Sequence, residues 1–61
     1  MIAKERVIKT LKDFGRLSTS RIAGIIGYNY SYTLIILKDL EKDKKVKKIE
    51  ETNAVFWELR K

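Results

Sequence analysis

Cysteine, histidine and proline are all absent from the 61-residue sequence. Without cysteine the chain can form no disulfide, no thiolate metal site and no thiol nucleophile. Without histidine it lacks the side chain that most often moves protons near neutral pH and binds transition metals. These absences exclude a redox protein and a small domain built around zinc, and we expect no cofactor and no metal site.

Long apolar runs are also missing, since none exceeds four residues, as in Leu34–Leu37. A membrane-spanning helix needs about 20 apolar residues in succession. The first residues, Met1–Glu5, do not show the charged and then apolar layout of a signal peptide. We therefore expect an intracellular, cytoplasmic protein that does not contact a membrane.

What the chain has in excess is positive charge. Its 14 lysines and arginines outnumber its 8 aspartates and glutamates, which gives a formal net charge of +6. Such a balance favours nucleic acid as a partner. Apolar residues make up 44% of the sequence, enough for a folded core, and the length predicts one domain over residues 1–61. The lysine-rich, cysteine-free composition is also typical of thermophile proteins.

Three helices are predicted over residues 2–14, 19–26 and 30–43, because apolar side chains recur in each segment at the helical period. Gly15 and Gly27 follow the first two segments, as glycines at helix C-termini do. Hydroxyl side chains precede the second segment and an asparagine precedes the third, and both suit helix N-caps.

The last part of the chain changes period. Apolar and polar residues alternate over 54–60, and a polar break at 51–53 separates this segment from a basic one over 45–50. Alternation of this kind predicts two antiparallel strands joined by a turn. The expected fold class is mainly α with a β-hairpin, an α+β arrangement of three helices followed by two strands.

Ala23 and Gly27 predict how the second and third helices meet. Two helices that cross at roughly 90–120° over a short turn approach closely at one point, where a small residue such as Ala23 fits. The turn also requires a left-handed backbone position, which glycine adopts without strain. The spacing of these two residues therefore predicts a helix-turn-helix.

With these features the stretch from Leu17 to Glu41, continued by Lys45–Val46 and Phe56–Leu59, resembles the winged helix-turn-helix family. The resemblance is to multiple-antibiotic-resistance-type and arsenic-type repressors and to their small archaeal or archaeal-virus relatives. It implies a transcriptional regulator that binds double-stranded DNA. We also expect a nucleoid-associated homodimer, because one such module contacts only a few base pairs and its core is small. The third helix would enter the major groove, and the hairpin, or wing, would lie on phosphates.

The resemblance also implies two sets of contact residues. Those expected to reach base edges are Asn29, Tyr30, Ser31, Leu34, Ile35 and Lys38. Those expected to hold phosphates are Arg21, Lys44, Lys45, Lys47, Lys48 and Arg60.

The chain departs from the family at three places. One is Thr33, which stands where the family usually has valine or isoleucine. Lys44–Lys45 stand where the family usually has glycine before the first wing strand. Leu34 and Ile35 stand where it usually has polar or basic readers, and the predicted core uses the opposite side of the third helix. These two residues would touch thymine methyl groups or be covered by a partner protein.

Two other functions therefore stay open. One is a winged-helix protein-interaction module that uses Tyr30, Leu34 and Ile35, and the other is a protein that coats DNA without regard to sequence. An enzyme is not expected, because catalysis needs a base beside a nucleophile or convergent carboxylates. The acidic residues of this sequence are instead scattered next to lysines, so we predict no catalytic residues and no small-molecule ligand.

Overall fold

The computed structural model describes residues 3–60, so the predicted start of the first helix at Ile2 lies outside the described residues. Three helices and three strands make up the described part of the chain, and the predicted fold class is confirmed. In chain order the elements are α1 (Ala3–Phe14), β1 (Leu17–Ser18), α2 (Thr19–Ile26), α3 (Tyr30–Lys42), β2 (Val46–Glu51) and β3 (Ala54–Leu59).

The helices α2 and α3 begin where their capping side chains lie. The Ser18 hydroxyl accepts a hydrogen bond of 3.2 Å from the Arg21 N–H. Asn29 Oδ1 accepts one of 2.7 Å from the Tyr32 N–H. Each bond satisfies a backbone donor that the first helical turn would leave unpaired. The predicted starts of both helices are therefore confirmed.

The turn between α2 and α3 has the predicted geometry. Gly27 adopts a left-handed φ of 81°. The N–H groups of Gly27 and Tyr28 both donate to the Ala23 carbonyl, at 2.9 and 3.2 Å. Ala23 is itself buried, so a small side chain lies inside this corner, as predicted.

The sheet has one strand more than predicted. Its order is β1–β3–β2, and neighbouring strands are antiparallel. Leu17 pairs with Trp57 and Ser18 with Phe56, so the prediction of a two-stranded sheet is wrong. A strand of two residues is too short to show alternation, but it supplies hydrogen-bond partners to an edge of β3 that would otherwise be open.

The core lies between the three helices and the inner face of the sheet. Two polar groups inside it are paired. Trp57 Nε1 donates to Thr19 Oγ1 at 2.7 Å, and Thr33 Oγ1 donates to the Asn29 carbonyl at 2.8 Å. The buried apolar cluster consists of Val7, Leu11, Ile22, Ile26, Ile36, Leu37, Leu40, Val46 and Trp57.

Helix α3 ends in a Schellman motif built on a lysine. The N–H groups of Lys44 and Lys45 donate to the carbonyls of Glu41 and Leu40, each at 2.9 Å. Lys44 has a φ of 61°, in the left-handed region that glycine enters without a steric penalty. Glycine is the usual residue at this position of the motif. Lys44 therefore carries backbone strain that a glycine would not.

Lys44→Gly should raise the free energy of unfolding by about 1 kcal/mol, because a Cβ disfavours the left-handed conformation. In a domain of this size that corresponds to a rise in Tm of about 4–8 °C, which thermal unfolding followed by circular dichroism measures. Lys42→Gly, inside the helix two residues earlier, is the matched control and should lower Tm. A Tm that falls in both variants would contradict the strain at Lys44.

Candidate nucleic-acid interface

Helix α3 turns one side toward the core and the opposite side outward. The outward side carries Ser31, Ile35 and Lys38, which are exposed and follow one another at helical spacing. Tyr30, in the first turn, is 53% exposed, and Ile35 is 63% exposed. The predicted exposure of this side of the helix is confirmed for these four residues.

Leu34 does not belong to this open side. It is half-buried and packs against the core cluster. A rotation of about 100° per residue places it on the flank of α3, between the outward side and the core. The prediction that the core needs neither Leu34 nor Ile35 is therefore wrong for Leu34, and Ile35 is the branched apolar residue that α3 presents outward.

Asn29 is committed to the local structure of α3. Besides capping the helix with Oδ1, it accepts bonds from the Thr33 N–H at 3.0 Å and from Thr33 Oγ1 at 2.8 Å through its backbone carbonyl. The side-chain nitrogen is then the group of Asn29 that is left for an outside partner. Removing this side chain would also remove a helix cap worth about 1 kcal/mol.

The hairpin tip, residues 50–55, lies beside the N-termini of α2 and α3. Together they line an open depression of about 530 Å³. Ser18, Ser20 and Tyr30 line its helical side, and Glu50 and Glu51 belong to its hairpin side. The end of the hairpin that approaches the first turn of α3 is therefore polar and acidic.

Lys47 and Lys48 point to opposite faces of the hairpin, because neighbours in a strand alternate. Lys48 pairs with Trp57, whose indole is in the core, so Lys48 is on the inner face. Lys47 pairs with Glu58 on the outer face, and its Nζ lies 3.4 Å from Glu58 Oε2. Of the two lysines, Lys48 is therefore the one on the side of the sheet where the helices lie.

The other residues predicted to hold phosphates lie in two separate regions of the surface. Arg21 is exposed in the first turn of α2. Lys44, Lys45 and Arg60 lie where β2 begins and β3 ends, and the Arg60 N–H donates to the Lys45 carbonyl at 3.0 Å. A strand of six residues spans about 20 Å, so this end of the hairpin is well separated from the tip. The Lys44–Lys48 cluster of the sequence is thus divided between a helix C-terminus and two strand faces.

Arg16, which has no role in the sequence-based prediction, ties the hairpin to the link between α1 and β1. Its Nη1 lies 3.0 Å from Glu51 Oε2 and its Nε lies 3.7 Å from Glu58 Oε1. Its guanidinium carbon is 6.0 Å from the centre of the Phe56 ring. Glu51 is 35 positions away in the sequence, so no local pattern signals this contact.

Lys4 neutralises carboxylates on the other flank of α3. Its Nζ forms a close ion pair with Asp39 and lies 4.0 Å from Asp43 Oδ2. The hydrogen bond and the positive charge of Lys4 lower the pKa of Asp39, and the bond to Asp39 raises the pKa of Lys4. Since Asp39 lines the same depression as Ile35 and Lys38, this pairing offsets a negative charge beside the outward side of α3.

The described residues hold no metal site of the usual kind. Within residues 3–60, no three side chains of histidine, cysteine, aspartate or glutamate come together as possible metal ligands. In the same part of the chain, no helix is both long and apolar enough to cross a membrane.

Comparison with known proteins identifies the fold. No protein-family model and no curated protein sequence matches the chain, but solved structures do. The Zalpha domain of Carassius auratus PKZ, in complex with Z-DNA, is 26% identical, with a TM-score of 0.86 over 93% of this chain and 90% of that chain.

Two bacterial proteins share the fold at lower identity. Lactococcus lactis ZitR, in complex with DNA, is 21% identical, with a TM-score of 0.87 over 97% of this chain and 42% of that chain. A homodimeric winged helix-turn-helix domain from a possible ArsR-family regulator of Mycobacterium bovis is 17% identical, with a TM-score of 0.90 over 97% of this chain and 54% of that chain. The protein therefore has the winged-helix fold, and its structural neighbours include winged-helix DNA-binding domains.

Arg16→Ala should loosen the hairpin tip without unfolding the domain. Exposed ion pairs contribute only about 0–1 kcal/mol to stability, so Tm should change little. Amide hydrogen exchange at residues 51–54 should become several-fold faster, because the tip loses its tie to the helical part. Arg16→Lys, which keeps the charge but not the forked contact, is the matched control and should have a smaller effect. Unchanged exchange at the tip would contradict this role of Arg16.

Proposed function

We propose that this protein is a transcriptional regulator that binds duplex DNA through α3. The observation that carries the proposal is the outward side of α3, where Tyr30, Ser31, Ile35 and Lys38 are exposed beside the hairpin of a winged helix. Structures of proteins with this fold have been determined in complex with DNA. A DNA target would place its action inside the cell.

In this proposal α3 lies in the major groove, which is about 12 Å wide and admits one α-helix. Tyr30, Ser31 and Lys38 then approach base edges, because hydroxyl and ammonium groups pair with the acceptors exposed there. Asn29 contributes the donor on its side-chain nitrogen. Ile35 contacts a thymine methyl group, a partner that suits an apolar side chain.

In this proposal, two of the predicted cations, Arg21 and Lys48, hold phosphates. Arg21 belongs to the first turn of α2, and Lys48 belongs to the inner face of the hairpin. Leu34, on the flank of α3, covers the apolar edge of the contact. Phosphate contacts of this kind fix the register of the protein, whereas the base contacts of α3 carry the sequence information.

A homodimer is part of the proposal. One α3 of 13 residues reaches only a few base pairs, and two copies related by a two-fold axis would read two half-sites one helical turn of DNA apart. The related winged-helix domain from Mycobacterium bovis is homodimeric. The outward sides of both α3 helices would then face the same duplex.

A second candidate function is a protein-interaction module. Ala3, Tyr32, Ile35 and Ile36 contribute to an open depression of about 510 Å³ between the start of α1 and α3. Tyr32 is 46% exposed and Ile35 is 63% exposed. Neighbouring exposed apolar side chains of this kind are typical of surfaces that a partner covers. Ile35 belongs to both candidate surfaces, so it is the residue that separates the two functions.

Binding to duplex DNA should weaken steeply with salt. If Arg21 and Lys48 of both protomers neutralise four phosphates, log K should fall with log[salt] with a slope of about −4. Fluorescence anisotropy with a labelled duplex at a series of salt concentrations measures the slope. Lys48→Ala should make it shallower, and Lys12→Ala, an exposed lysine on α1, is the matched control that should not. A slope near zero would contradict the proposal.

Ile35→Ser distinguishes the DNA groove from a protein surface. A duplex is first selected from a random library for tight binding to the wild type. If Ile35 reads DNA, the variant should lose about 1–3 kcal/mol of discrimination between selected and random duplex, with no change of mass in solution. Ile25→Ser, on α2 and 40% exposed in the wild type, is the matched control. Loss of an assembly with unaltered DNA binding would instead support the protein-interaction module.

The same assay tests the form of the duplex. The structure of the PKZ domain is that of a complex with Z-DNA. A duplex held in the Z form is therefore titrated beside mixed-sequence duplexes of equal length. Equal affinity for every duplex would mean that the protein coats DNA without regard to sequence, and would contradict the reading of bases by α3.

A further inference from the structure

The hairpin root, defined as Lys44, Lys45, Lys47 and Arg60, is a group of exposed cations that the proposed contact of α3 does not use. It follows the C-terminus of α3, and Tyr30 at the N-terminus is about 18 Å away along the helix. This distance exceeds the screening length of about 8 Å in physiological salt. The root and the first turn of α3 are therefore separate electrostatic surfaces.

Two features of the hairpin root oppose folding. Lys44 occupies a left-handed position, with a φ of 61°, that favours glycine. Lys45 and Arg60 stand opposite each other, because the bond from the Arg60 N–H to the Lys45 carbonyl extends the β2–β3 ladder by one pair. Like charges at directly opposite positions repel. Glycine at position 44 and an uncharged pair at positions 45 and 60 would stabilise the fold more than the residues present. A role in binding therefore explains why these positions are charged.

Little of this charge is neutralised within the described residues. Lys47 Nζ lies 3.4 Å from a Glu58 oxygen, and Glu58 also pairs with Arg16. Within residues 3–60, the other three cations of the root have no carboxylate oxygen within 4.0 Å. They are therefore available to an anion from outside.

We propose that the hairpin root binds the phosphate backbone of a second DNA duplex, so that one protomer joins two duplexes. The proposal rests on the proposed function for the first duplex, which α3 holds. Lysines bind phosphates as point charges and need no fixed geometry. A protein interface normally has an apolar or aromatic centre, whereas the shallow depression at the root is lined by Lys47, Glu58, Leu59 and Arg60.

A bead assay tests the capture of a second duplex. A biotinylated duplex on streptavidin beads is saturated with protein, washed, and then offered a fluorescent duplex of the same sequence. The double variant Lys45→Ala, Arg60→Ala should retain about tenfold less of the fluorescent duplex than the wild type, because two phosphate contacts are lost. Its affinity for a single duplex in solution should stay within about twofold, since α3 is unaltered. Lys12→Ala, on α1, is the matched control and should behave as the wild type in both measurements.

Lys44→Gly separates the role of charge from that of folding. It should melt at a higher temperature than the wild type, because it relieves the strained backbone, and yet capture less of the second duplex. A residue with a purely structural role would not combine a gain in Tm with a loss of capture.

Several outcomes would overturn the proposal. Full capture by the Lys45 and Arg60 double variant is one. A parallel loss of its affinity for the first duplex is another, because the root would then belong to the same interface as α3. If the wild-type protein binds a first duplex but captures no second duplex, this proposal is overturned and the proposed function is not. If the wild-type protein binds no duplex at all, the proposed function is overturned as well.

Discussion

The buried indole of Trp57 is the contact on which the arrangement of the other elements depends. β3 is the central strand of the sheet, and Trp57 pairs with Leu17 on one side and with Lys48 on the other. Its Nε1 donates to the Thr19 hydroxyl at the start of α2. The backbone and the side chain of this one residue therefore connect the three strands to the helix-turn-helix. A buried donor without a partner would cost about 1–3 kcal/mol, a large share of the stability of a small domain. The position of the hairpin beside α3 is therefore fixed from the interior.

Most of the fold could be predicted because its signals are local. Ser18, Gly27 and Asn29 are single residues whose chemistry suits a helix end, and the helices begin and end beside them. β1 could not be predicted in the same way. Its pairing joins Leu17 to Trp57, 40 positions further along the chain, and two residues carry no period. The sequence-based prediction therefore missed β1, a strand that is defined only by its pairing with β3.

The candidate site was less predictable, because it depends on how distant elements pack. Leu34 and Ile35 are neighbours with similar side chains, yet one packs against the core and the other is open to solvent. The run Lys44–Lys48 is continuous in sequence, but it covers a helix C-terminus and both faces of a strand. Net charge indicates attraction to nucleic acid, whereas the fold decides which of the charges reach it. The ion pair of Arg16 with Glu51 could not be predicted for the same reason, since the two residues come together only in the folded structure.

The pairing of β1 with β3 also limits the order in which the elements of this chain can fold. All three helices precede β3 in the chain, but Leu17 and Ser18 find their strand partners only in residues 56 and 57. Contacts between such distant segments form late, because the intervening chain must first be closed into a loop. Until β3 is paired, the apolar sides of the helices stay exposed, and exposed apolar surface of this kind is open to chaperones and to aggregation.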